Sequence, residues 1–301
     1  MEIEAMFQKY IHSHKAKIKL KQSSISTYCR KFEGYILPFF RQQEEISEKT
    51  VAEFTAHLQT SLADKTTADV LGLLSEILSC SGIPLEIYKP AVYPPEIVTF
   101  PKTEWERLRD YCVSHLDYLT YGILVAMYTG IRPGELSGAR CRHIDFHSAV
   151  FKVRFTMQRI KNLDHTEQKT KIIIDTPKSH KAIRDIPLVN DLLLLGQNLY
   201  QASPPDAFLL TGETGRFIEP RLMEDKFTKI MQELNISGKN LYSLRHTFAT
   251  DFYDKTHDVK SLSEILGHAD IKTTLNRYVH PDAEKKEAGY KCPALLKPKN
   301  S

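Results

Sequence analysis

Apolar residues recur with a helical period through the first eighty or so positions of the chain. Val70, Leu71, Leu73, Leu74, Ile77 and Leu78 fall at i, i+1, i+3, i+4, i+7 and i+8, which makes one apolar face of a helix. Ile25, Tyr28, Phe32, Tyr35, Ile36 and Phe39 give a similar face to Ser24–Phe40, with Ser23 or Ser24 placed to cap its start. Ser47–Leu62 turns Val51, Phe54 and Leu58 inward, and Met6–Ile18 supplies a further helix. These segments predict a bundle of about four short helices without pocket chemistry of its own.

The period then stops. Ile83–Pro101 carries Pro84, Pro90, Pro94, Pro95 and Pro101, a spacing that disfavours helix and stiffens the chain. We draw a helical domain over 1–88, a proline-rich linker over 89–101, a second domain over 102–290 and a tail over 291–301. Thr103-Glu-Trp-Glu106 has the form of a capping box and predicts a helix to about Val113. Leu119–Tyr128 is nearly all apolar, the mark of a buried central helix, and runs into Thr129-Gly-Ile-Arg-Pro-Gly-Glu-Leu136. Val150–Phe155, Lys171–Thr176 and Ala182–Leu188 read as strands, with Pro177-Lys-Ser-His-Lys181 as the hairpin turn between the last two. Helical text returns over Asp191–Tyr200, Arg221–Leu234, Ser243–Tyr253 and Leu262–Leu266, the last behind a second box, Ser261-Leu-Ser-Glu264. Asn276–His280 is too short to classify alone. The fold class expected is mainly α with a small antiparallel β-sheet (α+β).

Composition narrows the class. The 301 residues are 42% hydrophobic and 26% charged, enough for a proper core in each half. No apolar run approaches the roughly 20 residues of a membrane-spanning helix, and the start, MEIEAMFQKY, lacks an apolar signal core. A cytoplasmic location is the default expectation, with no membrane partner. Lys and Arg outnumber Asp and Glu by 41 to 37, a balance that permits nucleic-acid binding without requiring it. The five cysteines (Cys29, Cys80, Cys112, Cys141 and Cys292) are scattered and form no CxxC pair, so reduced thiols are expected and no metal site.

Several residues bear on chemistry, each with a bland reading beside it. Arg132 sits where the apolar helix meets a glycine- and proline-rich turn; it is either held with its planar fork in a cleft or is a surface arginine. Glu135 braces it or caps the next helix. Lys178 occupies the expected hairpin tip, where lysines are usually just solvated. Tyr242 and Arg245 share a helix face, with Leu241, Leu244 and Phe248 as core and Arg245 open to an ion pair with an acid. His246 reads as a structural, hydrogen-bonded histidine. His268 follows Leu266-Gly267, a glycine suited to end a helix, and would complement the helix dipole. Tyr278 alone reads as a core tyrosine with a tethered hydroxyl.

In order along the chain, TGIRPGEL, TPKSHKAIRDIPL, YSLRHTFAT, LGHADIKTT and NRY resemble the motifs of the tyrosine recombinases, the phage-integrase family, over roughly Thr103–His280. The helical first part is similar to that family's core-binding domain. The resemblance implies that Arg132 and Arg245 are the two phosphate-binding arginines and Lys178 the hairpin lysine. It makes His268 the second histidine position and Tyr278 the nucleophile. One position departs: Tyr242 stands where the family usually has the first histidine of His-x-Leu-Arg-His, and a phenol of pKa about 10 cannot easily carry a proton near neutrality.

The chemistry implied is transesterification. Tyr278 attacks a DNA phosphodiester, a 3′-phosphotyrosyl link forms, a 5′-hydroxyl leaves, and a second 5′-hydroxyl later reseals the strand. The arginines offset charge on the non-bridging oxygens, and Lys178 protonates the leaving oxygen. No cofactor and no metal is implied. The partners implied are double-stranded DNA at a specific site, clamped between the domains, further copies of the chain in a homotetramer, and excision or DNA-bending factors. Lys15, Lys17, Lys19, Lys21, Arg30 and Lys31 are candidate phosphate contacts, or else a solvated basic face. The role expected is integration or excision of a mobile element. The alternatives are Xer-type dimer resolution, a type IB topoisomerase, and a DNA-binding relative with impaired catalysis.

Overall fold

The computed structural model describes residues 3–18, 20–163, 168–177 and 179–279, with side chains left out for 14–18. It is mainly helical with two small sheets, the fold class expected from the sequence. The chain divides into two compact units, one of residues 1–96 with 158–173 and one of residues 97–157 with 174–301.

The first unit is built on α1 (Ile3–Ile18), α2 (Gln22–Lys31), α3 (Leu37–Phe40), α4 (Glu48–Gln59) and α5 (Asp64–Cys80). The helix expected over Ser24–Phe40 is interrupted by a π turn at Phe32–Ile36 that joins α2 to α3. Its start is not capped by a serine: Lys21 is the N-cap residue, and Ser24 is buried one turn further on. The residues read as inward-facing do form the core, where Tyr10, Ile36, Phe54, Val70, Leu71, Leu74 and Ile77 are fully buried. Ser47 caps α4, its hydroxyl accepting from the Thr50 amide.

In the second unit α6 (Lys102–Ser114) packs on α7 (Tyr118–Thr129), which is buried on nearly every side. Thr103 does not cap α6: the helix already starts at Lys102, behind Pro101, a residue that fixes its own φ and leaves no side-chain cap. α7 starts at Asp117, which accepts from the Thr120 amide at 2.8 Å, and stops at Gly130, whose φ of 60° ends the helix in the left-handed region. The short α8 (Pro133–Ser137) follows at once, with proline at its first position.

Strands β1 (Ile144–Asp145), β2 (Val150–Val153) and β5 (Arg184–Pro187) form an antiparallel sheet in the order β1-β2-β5. Phe151 pairs with Ile186 and Val153 with Arg184. β3 (Thr156–Lys161) pairs instead with β4 (Thr170–Asp175) in a separate two-stranded ribbon. The expectation that Lys178 tips a hairpin between the second and third strands is therefore corrected, because those strands are β4 and β5 and belong to different sheets. β4 takes its partner from β3, a strand whose polar text hid it, and β5 returns to β2 because Phe151, Val153 and Ile186 share one buried face. Lys178 itself lies outside the described residues.

The remaining helices are α9 (Asn190–Tyr200), α10 (Pro220–Glu233), α11 (Leu241–Thr256), α12 (Val259–Leu266) and α13 (Ile271–Tyr278). α11 packs along α7, and α12 meets both α13 and β5. Ser261 does not cap α12: Asp258 does, accepting from the Ser261 amide at 3.0 Å. α12 ends as expected at Gly267, with φ of 66°. The short segment Asn276–His280 turns out to be the end of α13, with His280 and the tail beyond it outside the described residues. Among the described residues no helix is long and apolar enough to cross a membrane.

Candidate active site

Four helix boundaries meet in the second unit: the ends of α7 and α12, the start of α8 and the first turns of α11. An α-helix leaves its last carbonyls without partners, and its C-terminus carries the negative end of the dipole. Three arginines take up those carbonyls. Arg184, on β5, donates Nε–H to the carbonyl of Ile265. Arg245 donates to Leu266 O at 2.9 Å and to Gly130 O at 2.6 Å, joining the ends of α12 and α7. Arg132 donates to Gly267 O at 3.1 Å. Three consecutive residues at the end of α12 thus each hold one guanidinium.

One carboxylate balances them. Glu135, on α8 and almost fully buried, accepts from Arg184 Nη1 at 3.1 Å and Nη2 at 2.9 Å, a bidentate pair. It also accepts from Arg132 Nη1 at 2.8 Å and from the Arg132 amide at 3.1 Å. Both readings of Glu135 are met at once: it braces Arg132 and caps α8. Burial alone would raise its pKa, but the Arg184 and Arg132 guanidiniums outweigh burial and hold the carboxyl below the usual range. Among the described residues that hydrogen-bond there, the count is three cations to one carboxylate, an excess of positive charge that calls for an anion. Arg245 is buried enough that its guanidinium is pushed down to about 9, with Arg132 adding to the shift, and it still stays a cation at neutral pH. Neither Arg132 nor Arg245 spends all its N–H donors on the protein among the described residues.

His268 sits just past Gly267. Its Nε2 lies 2.9 Å from Arg245 Nη2 and its Nδ1 2.7 Å from Thr274 Oγ1. A guanidinium can only donate, so Nε2 accepts and the proton of the neutral ring is on Nδ1, donated to Thr274. Burial, and then Arg245 and the other arginines, push its pKa down to about 3, so the ring is an uncharged bridge between Arg245 and α13.

Tyr278 is the last residue of α13 and is buried against Ala249, Leu262 and Leu266. Its hydroxyl lies 2.9 Å from Nδ1 of His246. Burial raises its pKa, while Arg245, Arg277 and Arg132 pull the other way without cancelling it.

The structure thus brings together Arg132, Arg245, His268 and Tyr278 from the sequence reading, and leaves Lys178 outside the described residues. Tyr242 is half exposed and makes no hydrogen bond among the described residues. Arg184 and His246 were not singled out as functional from the sequence. A signal for Arg184 was present: in a strand of period two it shares the inward face with Ile186 and Leu188, where a charge needs a partner.

Only some of the candidate phosphate contacts of the first unit have described side chains. Lys19 lies outside the described residues, and the side chains of Lys15 and Lys17 are not described. Lys21 precedes α2, Arg30 is exposed in its last turn, and Lys31 pairs with Asp69 at 3.5 Å.

The sequence model described as the phage integrase family matches residues 94–285, the whole of this site included. The chain belongs to the phage integrase family. The relatives of this phage integrase family member include a protein named "Tyrosine recombinase XerC-like" from Caldanaerobacter subterraneus subsp. tengcongensis, 27% identical over 200 residues, which are 62% of this chain and 51% of that one. Another is the "Transposase from transposon Tn916" of Enterococcus faecalis, 26% identical over 178 residues, 52% of this chain and 41% of that one. The chain thus spans about half or less of the length of these curated relatives. The fold matches the Tn1549 transposon integrase in complex with a circular intermediate DNA, with TM-score 0.73 and 17% identity over 94% of this chain and 98% of that one. It also matches a lambda integrase tetramer bound to a Holliday junction, with TM-score 0.63 and 14% identity over 94% and 80%. Among the described residues no group of three or more His, Cys, Asp or Glu is arranged to hold a metal ion.

Proposed function

We propose that this family member is a tyrosine site-specific recombinase that cleaves and rejoins DNA through a 3′-phosphotyrosyl intermediate. One observation carries the reading: a buried tyrosine hydroxyl acted on by Arg132 and Arg245, two of three arginines that share a single carboxylate among the described residues. A scissile phosphate supplies the missing negative charge. Arg132 and Arg245 aim their free N–H groups at its non-bridging oxygens, where charge grows in the transition state. His268 keeps Arg245 oriented. Tyr278 Oη attacks phosphorus, and the 5′-oxygen departs with a proton from Lys178, the acid that the resemblance implies. Bond energy stays in the phosphotyrosyl link until a second 5′-hydroxyl displaces the tyrosine.

The biological setting we favour is integration or excision of a mobile element, because transposon enzymes stand among both the sequence and the fold relatives. Xer-type dimer resolution is the second reading, favoured by the XerC-like relative. The working form proposed is a homotetramer on a specific duplex in the cytoplasm, aided by excision or DNA-bending factors, with Arg30 and the lysines of the first unit contributing phosphate contacts.

The test is covalent capture on a denaturing gel. The probe is a nicked duplex carrying the site recovered by selecting bound molecules from random-sequence DNA. The wild-type chain should trap this DNA, and Tyr278→Phe should bind it without trapping. Trapping by Tyr278→Phe would sink the assignment of the nucleophile, and relaxation of an arbitrary supercoiled plasmid by monomer would point to a topoisomerase instead.

A further inference from the structure

A phenol that attacks phosphorus must lose its proton, and the position that the family resemblance would use for it is occupied by Tyr242. That side chain is 50% exposed and makes no hydrogen bond among the described residues. The neighbouring histidine is placed differently. His246 follows Arg245 on α11, is half-buried, and sets Nδ1 2.9 Å from the Tyr278 hydroxyl, with the two rings 5.9 Å apart.

The direction of that hydrogen bond follows from the surroundings. Tyr278 Oη accepts a hydrogen bond from Arg245, which leaves its own O–H to His246 Nδ1 at 2.9 Å. The charged groups acting on the phenol are Arg245, Arg277 and Arg132, none of which can accept a proton. The O–H therefore donates to Nδ1, and the ring's own proton is on Nε2. Arg277 Nη2 stands 3.5 Å from Nε2, too far to impose the other tautomer.

We propose that His246 accepts the phenolic proton of Tyr278 during strand cleavage and returns it during rejoining, taking the role that Tyr242 cannot fill. The proposal rests on the recombinase reading above. In the step, the Tyr278 Oη–P bond forms as the bond from phosphorus to the 5′-oxygen breaks. The phenolic proton passes to Nδ1, and the departing oxygen takes a proton from the general acid or from water. Rejoining reverses each transfer. Arg277 and Arg245, with burial as the larger influence, hold the ring at about 4, so it waits in the neutral, accepting form at physiological pH. Its proton acceptance is needed only as the forming O–P bond makes the phenol acidic.

Two measurements on the full chain test this. In ¹⁵N-histidine NMR of the DNA-free protein, His246 should show an unprotonated, hydrogen-bonded Nδ1 whose shift moves in Tyr278→Phe. A protonated Nδ1, or no response to that variant, overturns the proposal. In single-turnover trapping on the selected nicked duplex, His246→Ala should slow phosphotyrosyl formation by about 10²-fold or more with DNA affinity unchanged. His246→Asn, which sets a carbonyl oxygen near the Nδ1 position, should restore less than the full rate, since it can orient the hydroxyl but not take its proton. An unchanged rate in His246→Ala overturns the proposal alone. A wild-type chain that never traps DNA overturns the recombinase reading, and the NMR experiment still decides the hydrogen bond.

Discussion

Replacing Glu135 is the most direct probe of how the arginines are held. Its two carboxylate oxygens accept four hydrogen bonds, at 2.8, 2.9, 3.1 and 3.1 Å, from Arg132 and Arg184. The Arg184 and Glu135 side chains are only 6% and 3% exposed, so water cannot take over when one partner is lost. Removing one member of such a buried pair costs about 3–5 kcal/mol, because the other charge stays behind uncompensated. Glu135→Ala should lose that much, and Glu135→Gln nearly as much despite its matching shape. A glutamine amide keeps one oxygen but turns its NH2 group toward a guanidinium that can only donate. The assay is urea unfolding followed through Trp105, the single tryptophan, which lies in the second unit edge-on to Phe100 and so reports that unit alone. Sulfate or phosphate should restore more stability to the variants than to the wild type, by filling the site with an anion. A Glu135→Gln protein within about 1 kcal/mol of wild type would refute the reasoning, since shape rather than charge would then be holding the arginines.

Gly267→Ala should destabilise the second unit by about 1–2 kcal/mol, because a side chain there is strained at φ of 66°. Its Cβ would also fall 2.9 Å from Arg184 Nη1, so DNA trapping should drop with stability, and wild-type stability and trapping would contradict the packing. His143, His246 and His268 are lowered to about 4, 4 and 3, in each case by burial first. Since their pKa values are below the unfolded value of about 6.5, the unfolded chain binds more protons there, and stability is lost as pH falls below 6.5. The slope should reach up to about 1.4 kcal/mol per pH unit for each ring, seen as Trp105 unfolding midpoints falling between pH 7.5 and 5, whereas a flat profile would count against the buried neutral rings. Tyr242→His should change stability by no more than about 0.5 kcal/mol, as a half-exposed site without hydrogen-bond partners among the described residues requires, and a larger loss in the same unfolding assay would show a contact there.

What could be read from the sequence and what could not divide along physical lines. Periodic apolar text reports burial within a single element, so α5, α7 and the inward faces of α2 and α4 were legible. Glycine at a helix end reports a local backbone need, so the stop at Gly267 was legible too. Helix starts were legible approximately, as at Ser47, but three capping residues were not: Thr103, Ser261 and Ser24 offered capping chemistry, yet Pro101, Asp258 and Lys21 hold the N-cap positions, because several residues compete within one turn and tertiary packing chooses among them. Strand pairing was not legible for the same reason at longer range. β3 shows little alternation, and without it β4 was matched to β5, which put Lys178 on a hairpin between two strands that belong to different sheets. The site follows this division closely. Arg132, Arg245, His268 and Tyr278 stood out because they sit in ordered motifs, whereas Arg184 binds a carbonyl 81 residues away and only its place on the inward face of a strand hinted at a buried role. His246 was read as structural since its partner lies 32 residues on, beyond any helical spacing. Tyr278 shows why such contacts matter for function: burial by itself fits an ordinary core tyrosine. A core tyrosine, though, is placed where its hydroxyl is satisfied at low cost, and this one is set among three cations that raise no stability by being together. Like charges converge at a cost where something else gains from them, and in the recombinase function proposed above that group is the attacked phosphate.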